Sequence, residues 1–308
     1  MHGVTTQPAP VDQPAPAAQP APAAQPAHTP AADRLPRTIT GATRLFVVVG
    51  DPVAQVQAPM LMNPVFAEVG LDAVLVPVHA RPEDFPAVLA GLRAMANLDG
   101  ILITIPHKVA AAALADLRSP AAAISGSANV LRREPDGRWL ADNFDGSGFV
   151  RGLRRAGHRV AGANVRLIGA GGAGSAIAVA LLEAGCAGLA VVDPDRARLA
   201  ELLGRLEPHW PGQVTAAPPE GPGAPGTAST IDLIVNATPL GLRPQDPLPF
   251  DPTTLPAGCV VADIIMKPAR TRLLQAADER GLPTHPGIHM LAEQVDLYRA
   301  FFDLPDAR

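Results

Sequence analysis

The sequence predicts an α/β protein built from two units, and three observations carry that prediction. From Arg44 onward, short runs rich in Val, Ile and Leu alternate with Ala/Leu-rich stretches of helix length. A glycine-rich turn, Gly169-Ala170-Gly171-Gly172-Ala173-Gly174, stands between a strand-like run and a helix-like one. The chain has 308 residues, 47% of them hydrophobic, which is enough for two separate cores.

Residues 1–38 are Ala, Pro and Gln with an imperfect A-P-A-A-Q-P repeat, a composition that buries little, so a disordered tail is expected there. Arg44 to Gly50, RLFVVVG, reads as the first strand, followed by a helix from about Ala58 to Val69. The strand AVLVPVHA, a helix across PEDFPAVLAGLRAM, and the strand LDGILITIP come next. Strands spaced by helix-length segments imply parallel pairing through right-handed crossovers, and therefore an open α/β sheet over residues 39–148.

The second unit, residues 149–286, opens on a strand ending at Ile168, the glycine turn, an Ala-rich helix, and a strand from Leu189 to Val192 that ends in Asp193. In that setting the glycines form a dinucleotide-binding fingerprint, because the bare backbone admits a pyrophosphate and the helix N-terminus offers free N–H groups. A carboxylate at Asp193 suits the two ribose hydroxyls of NAD and repels a 2′-phosphate, so NAD is the expected cofactor. NADP is the alternative, since Arg196 and Arg198 follow closely. A further strand, STIDLIVNATPLGL, runs into the turn Asn236 to Gly241, whose Asn236 and Thr238 are expected near the nicotinamide. PPEGPGAPGTAST reads as a flexible surface loop.

A net charge of −4 carries no footprint for nucleic acid and no polybasic patch for membrane. No apolar run approaches a membrane span, and the N-terminus lacks the pattern of a signal peptide, so a cytoplasmic location and a small-molecule substrate are expected. Cys186 and Cys259 fall outside any metal-ligand spacing and read as reduced core thiols, with no metal site expected. Lys108 stands out because the chain contains only one other lysine, Lys267. It follows an apolar strand at the end where parallel sheets hold ligands, and an ammonium exchanges protons where a guanidinium does not. His107 beside it reads as a packing residue, and His289 is left open between packing and chemistry.

Several motifs taken together resemble the shikimate/quinate dehydrogenase family. They are Gly50-Asp51-Pro52, Thr104 to Lys108, Asn143-Phe144-Asp145-Gly146-Ser147-Gly148-Phe149, Gly169 to Gly174, Asn236 to Gly241, Asp263 to Thr271, and Gly287 to Leu291 with Gln294. The resemblance covers the chain from Ile39 onward. It implies an N-terminal substrate domain, a Rossmann-type cofactor domain, Met290 among the cofactor-binding residues, and a last helix, about Met290 to Phe302, that returns residues 287–308 to the first domain. It also implies that Lys108 and Asp145 are the acid/base pair of an NAD(P)-dependent alcohol dehydrogenase, with Thr104, Asn129 and Gln294 among the substrate-binding residues, and a monomer or homodimer as the assembly.

The departures from the family bear on the substrate. Two serines that hold the substrate carboxylate in typical members are replaced by Val56 and Ala58, a threonine by Phe144, and a tyrosine by Met266. Losing two hydrogen bonds to a charged group, at roughly 1.5–3 kcal/mol each, costs about 10²–10⁴-fold in affinity. Gln55 and Gln57 would substitute only if an extended segment slipped by one residue. The expected reaction is therefore reversible hydride transfer on a cyclic or polyol-like alcohol, in a shikimate-dehydrogenase-like branch with an altered pocket. Two alternatives stay open: true shikimate or quinate dehydrogenation, and a catalytically silent regulatory protein whose Lys108–Asp145 pair merely braces the cleft.

Overall fold

The computed structural model describes residues 1–2, 38–218 and 231–305. The expected disordered tail and nearly all of the PPEGPGAPGTAST loop lie outside the described residues. Among the described residues, all secondary structure falls in the unit Gly41–Arg308, which contains two six-stranded sheets.

The first sheet is assembled from β1 (Arg44–Gly50), β2 (Ala73–His79), β3 (Leu98–Ile103), β4 (Leu117–Arg118), β5 (Val130–Arg133) and β6 (Trp139–Asp142), in the order β2-β1-β3-β5-β6-β4. Between them lie α1 (Ala58–Glu68), α2 (Phe85–Ala94), α3 (Lys108–Leu114) and α4 (Pro120–Ser125). Phe46 to Val49 are buried on both faces, as a central strand covered on both sides requires. Val47, Val49, Ile101 and Ile103 face one core, while Phe46, Val48 and Leu102 face the other.

The sheet is mixed rather than uniformly parallel. β1 pairs in parallel with β2 and β3, but β5 is antiparallel to both β3 and β6. For β5 and β6 the reason is local: Glu134-Pro135-Asp136-Gly137-Arg138 closes a tight turn, with Gly137 at φ +86° and its N–H donated to Glu134 O at 2.9 Å. A connection of that length reverses the chain and cannot carry a crossover.

α5 (Asp145–Arg155) leads into the second sheet, β7 (Asn164–Ile168), β8 (Gly188–Val192), β9 (Val214–Ala216), β10 (Leu233–Asn236), β11 (Val260–Asp263) and β12 (Thr284–Pro286). Its helices are α6 (Gly172–Glu183), α7 (Arg196–Leu206) and α8 (Arg272–Glu279). Every pairing is parallel, in the order β12-β11-β10-β7-β8-β9. Strand order reverses between β7 and β10, so the crevice at their carboxyl ends, between Ile168 and Asn236, is where such sheets hold ligands. Among the described residues no helix is long and apolar enough to cross a membrane.

The single last helix expected from the sequence is two short ones, α9 (Ile288–Ala292) and α10 (Val295–Phe301). At the break, Gln294 N donates to Leu291 O, three residues back rather than four, and Glu293 and Gln294 have ψ near zero. This tightening turns the Gln294 side chain inward, where it is 1% exposed. α10 returns to the first sheet, with Phe302 edge-on to Phe46 at 5.0 Å between centroids.

β12 carries His285, buried against Phe149 and flanked by His158 and His289. Burial, followed by the neighbouring His289 and His158, pushes its pKa down to about 4. Between pH ~6.5 and ~4 the unfolded chain takes up a proton that the folded one refuses, so stability falls by up to about 1.4 kcal/mol per pH unit. His285→Leu is expected to remove that part of the slope, measured as urea midpoints from pH 7 to 4.5. An unchanged slope would refute the assignment.

Candidate active site

Two helix starts build the centre of the site. β3 ends at Ile103, Thr104 N is held by Val49 O at 2.9 Å, and α3 begins on Lys108. α5 begins on Asp145, whose N–H is held by Asn143 Oδ1 at 3.0 Å. Lys108 Nζ donates to Asp145 Oδ2 at 2.5 Å, with the side chains only 11% and 4% exposed. A pair so withdrawn from water holds together only if its remaining polar atoms are satisfied. Asp145 Oδ1 accepts from Asn129 Nδ2 at 3.1 Å and from Gln294 Nε2 at 3.3 Å. Asn129 Oδ1 in turn accepts the backbone N–H of Phe144.

The glycine loop touches this centre directly. A Cβ at Gly172 would lie 2.7 Å from Lys108 Cβ, so only glycine permits the approach. Ser127 Oγ donates to Gly172 O at 2.7 Å and accepts from Asn143 Nδ2 at 2.8 Å, tying the loop to the start of β5 and α5. Sequence reasoning missed Ser127; its only signal was its place two residues before Asn129.

The cradle fits a dinucleotide. Gly171, the N-cap of α6, provides no side-chain cap, and a Cβ there would project into open space beside the free first-turn N–H groups. Gly169 (φ +107°) and Gly174 close the turn against one another, with Ala170 and Ala173 between. Asp193 turns inward, its carboxylate accepting from Ala170 N at 2.7 Å and Asp195 N at 2.8 Å. The exposed charges at this end of β8 are Asp195, Arg196 and Arg198, and Arg198 is held by both Asp193 and Asp195.

Asn236 is fully buried and spent on its own turn: it donates to Leu240 O and Asp263 Oδ1 and accepts from Thr238. Burial raises the pKa of Asp263, against the opposing hydrogen bonds of Thr271, Ile265 and Asn236. Met290 is buried, and Met266 is half-buried just beyond β11. His107 stacks on Phe85 at 4.2 Å and bonds Ala80 O, a packing role. His289 is exposed and stacks on His285. Both cysteines are free and buried, which pushes their thiols up to about 11.

Val56, Ala58 and Phe144 share one apolar cluster with Met62, Phe301 and Tyr298. Gln55 Nε2 bonds Pro52 O and Gln57 Nε2 bonds Gln55 O, so both amides are tied into the loop's own backbone. Gln57 has φ −103° and ψ −12°, so the segment is not extended here. At the loop's edge, Asp51 pairs with His79 at 2.7 Å. Tyr298, which the sequence reading passed over, has its hydroxyl 3.2 Å from Asn129 Nδ2.

Residues 48–131 match the shikimate dehydrogenase substrate binding domain. A shikimate dehydrogenase (NADP(+)) of Rubrobacter xylanophilus is 42% identical over 85% of this chain and 92% of its own. The ligand-free 5-ketofructose reductase of a Gluconobacter strain superposes with a TM-score of 0.73 at 27% identity, covering 86% of this chain and 95% of its own. A shikimate 5-dehydrogenase of Listeria monocytogenes, solved with shikimate and NAD, gives 0.74 at 25% identity, covering 89% and 96%.

Gly172→Ala is expected to separate α3 from the glycine loop and lower kcat at saturating cofactor by at least about tenfold, because sub-ångström placement governs hydride transfer. Steady-state kinetics beside a thermal melt tests this. A variant with wild-type kcat would show that the contact does not set the geometry.

Proposed function

The chain belongs to the shikimate dehydrogenase family, an NAD(P)-dependent oxidoreductase acting on CH–OH donors, and from that premise we propose that its substrate is a cyclic or polyol-like alcohol recognised without a carboxylate clamp. The observation that carries this reading is the shared apolar cluster of Val56, Ala58 and Phe144. In typical relatives those positions supply hydroxyl donors. The neighbouring glutamines are occupied by their own backbone and do not replace them. The Gluconobacter relative is named for 5-ketofructose, a carboxylate-free polyol ketone, so the scaffold has precedent for such a ligand.

In this reading residues 39–148 and 287–308 hold the substrate and 149–286 hold the cofactor. A bound nicotinamide supplies the hydride acceptor at C4. Lys108 would take the hydroxyl proton as the carbinol hydrogen leaves with its electron pair and the carbonyl forms. Asp145 orients the amine and stabilises the ammonium that results. Thr104, Asn129 and Gln294 border the reacting hydroxyl. NAD is the preferred cofactor: Asp193 and Asp195 place negative charge at the end of β8 and already pair with Arg198, an arrangement that disfavours a 2′-phosphate.

The 42% identity to an NADP(+)-linked shikimate dehydrogenase favours a second reading, ordinary shikimate oxidation with NADP. A screen of NAD and NADP against shikimate, quinate and uncharged cyclic alcohols, with 5-ketofructose in the reducing direction, separates the two. The uncharged ligands with NAD are expected to give the higher kcat/KM. Val56→Ser with Ala58→Ser is expected to raise shikimate turnover more than about tenfold, yet less than the full 10²–10⁴, because Phe144 and Met266 remain. Sub-millimolar KM for shikimate in the native protein, unimproved by the serines, would overturn the reading.

Lys108→Ala is expected to abolish turnover while nucleotide affinity, followed by fluorescence titration, stays within about twofold, since the amine acts on substrate and the glycine loop holds the cofactor. Equal loss of both would refute its role.

A further inference from the structure

We infer that Tyr298 is a positioning residue, whose hydroxyl fixes the orientation of the Gln294 amide and through it the setting of Asp145 against Lys108. Tyr298 is the only tyrosine in the chain and is 4% exposed. It lies on α10 four residues after Gln294, one helical turn on, so the two side chains meet. Its Oη donates to Gln294 Oε1 at 2.5 Å. Burial, and then the negative charge of Asp145, raises its pKa well above the ordinary value, so the hydroxyl keeps its proton and remains a donor.

That donor acts together with Asn129 and Asp145 on the facing of the amide. Gln294 Oε1 receives Tyr298 O–H and Asn129 Nδ2 (3.0 Å), leaving Nε2 to face Asp145 Oδ1 at 3.3 Å. Turning the amide over would set Oε1 against a carboxylate oxygen and Nε2 against the Asn129 amine, opposing acceptor to acceptor and donor to donor. Asn129 Nδ2 has only two hydrogens for three acceptors within reach: Asp145 Oδ1, Gln294 Oε1 and Tyr298 Oη. Without the tyrosine hydroxyl, Gln294 Oε1 would keep Asn129 Nδ2 as its donor, an amide it shares with Asp145 Oδ1. The Tyr298 ring is itself fixed, edge-on to Phe144 at 5.7 Å and stacked on Phe302 at 6.4 Å. A phenylalanine would keep those contacts and lose only the donor.

The inference rests on the Lys108–Asp145 chemistry proposed above, and its test includes a readout independent of turnover. Tyr298→Phe is expected to lower kcat about five- to tenfold, the scale of the one hydrogen bond it removes from Gln294, on the panel alcohol with the highest kcat/KM. On a Gln294→Ala background the same change is expected to cost less than about twofold, because the tyrosine acts through that amide. Additive losses, or a wild-type kcat in Tyr298→Phe, would overturn the inference.

Biosynthetic 3-fluorotyrosine marks Tyr298 alone, so its ¹⁹F resonance in otherwise native, ligand-free protein supplies the second measurement even if the phenylalanine variant folds poorly. The resonance is expected to move in Gln294→Ala and in Asp145→Asn, and to stay in place in Lys267→Ala. Indifference to Gln294→Ala would overturn the proposal whatever the substrate proves to be. A fluorine response together with full turnover in Lys108→Ala would refute the acid/base reading and leave the Tyr298–Gln294 linkage standing.

Discussion

The buried contact between Lys108 and Asp145 is the constraint on which the rest of the site depends. Removing an ammonium and a carboxylate from water costs several kcal/mol each, and their attraction offsets this only when geometry is tight and the remaining lone pairs are filled. Here the filling groups come from distant parts of the chain: Asn129 at the edge of β5 and Gln294 at the break between α9 and α10. The pair therefore forms only when the first sheet, α5 and the returning C-terminal helices are all in place.

The same requirement explains the close packing around the glycine loop. Lys108 can reach Asp145 only by lying against Gly172, and the Ser127–Gly172 and Asn143–Ser127 hydrogen bonds hold that approach. Gly146 and Gly148 serve the same end one helix further on. A side chain at the first would collide with the Ala176 carbonyl of α6, and at the second with Met290 O. The Asp145-Gly146-Ser147-Gly148 motif is thus one acidic group followed by the bare backbone that lets its helix press against both neighbours.

Beside this polar centre lies an apolar cluster in which Phe144 meets Tyr298 and Phe301 edge-on. Val56 and Ala58 belong to it rather than to a polar rim. A low-dielectric surround strengthens the hydrogen bonds at the pair and gives no partner to a second, substrate-borne charge. The proposed preference for an uncharged alcohol and the stability of the buried network thus share one physical origin.

Much of this was legible in the sequence because it is local. Strand periodicity gave away β1 to β3, and the glycine spacing marked the turn between β7 and α6, since both express backbone sterics over a few residues. Lys108 was visible as one of only two lysines, and Asp145 through the motif that resembles the family's. The antiparallel β5–β6 hairpin was missed because the alternation of strands and helices before it implied crossovers throughout, and the short Pro-Asp-Gly turn that reverses the chain carried no weight against that pattern. The break at Gln294 was missed because neither Gly nor Pro marks it. By itself the sequence determined the α/β class and the glycine turn after β7, and it singled out Lys108 as a rare lysine at a strand end. Only the tertiary structure decided that Asp193 braces the glycine loop from within, that the loop glutamines bind their own backbone, and that Tyr298 stands over Gln294 and Asn129. Those outcomes depend on which hydrogen-bond partner is nearest once distant segments are packed together, and residue spacing along the chain does not encode that distance.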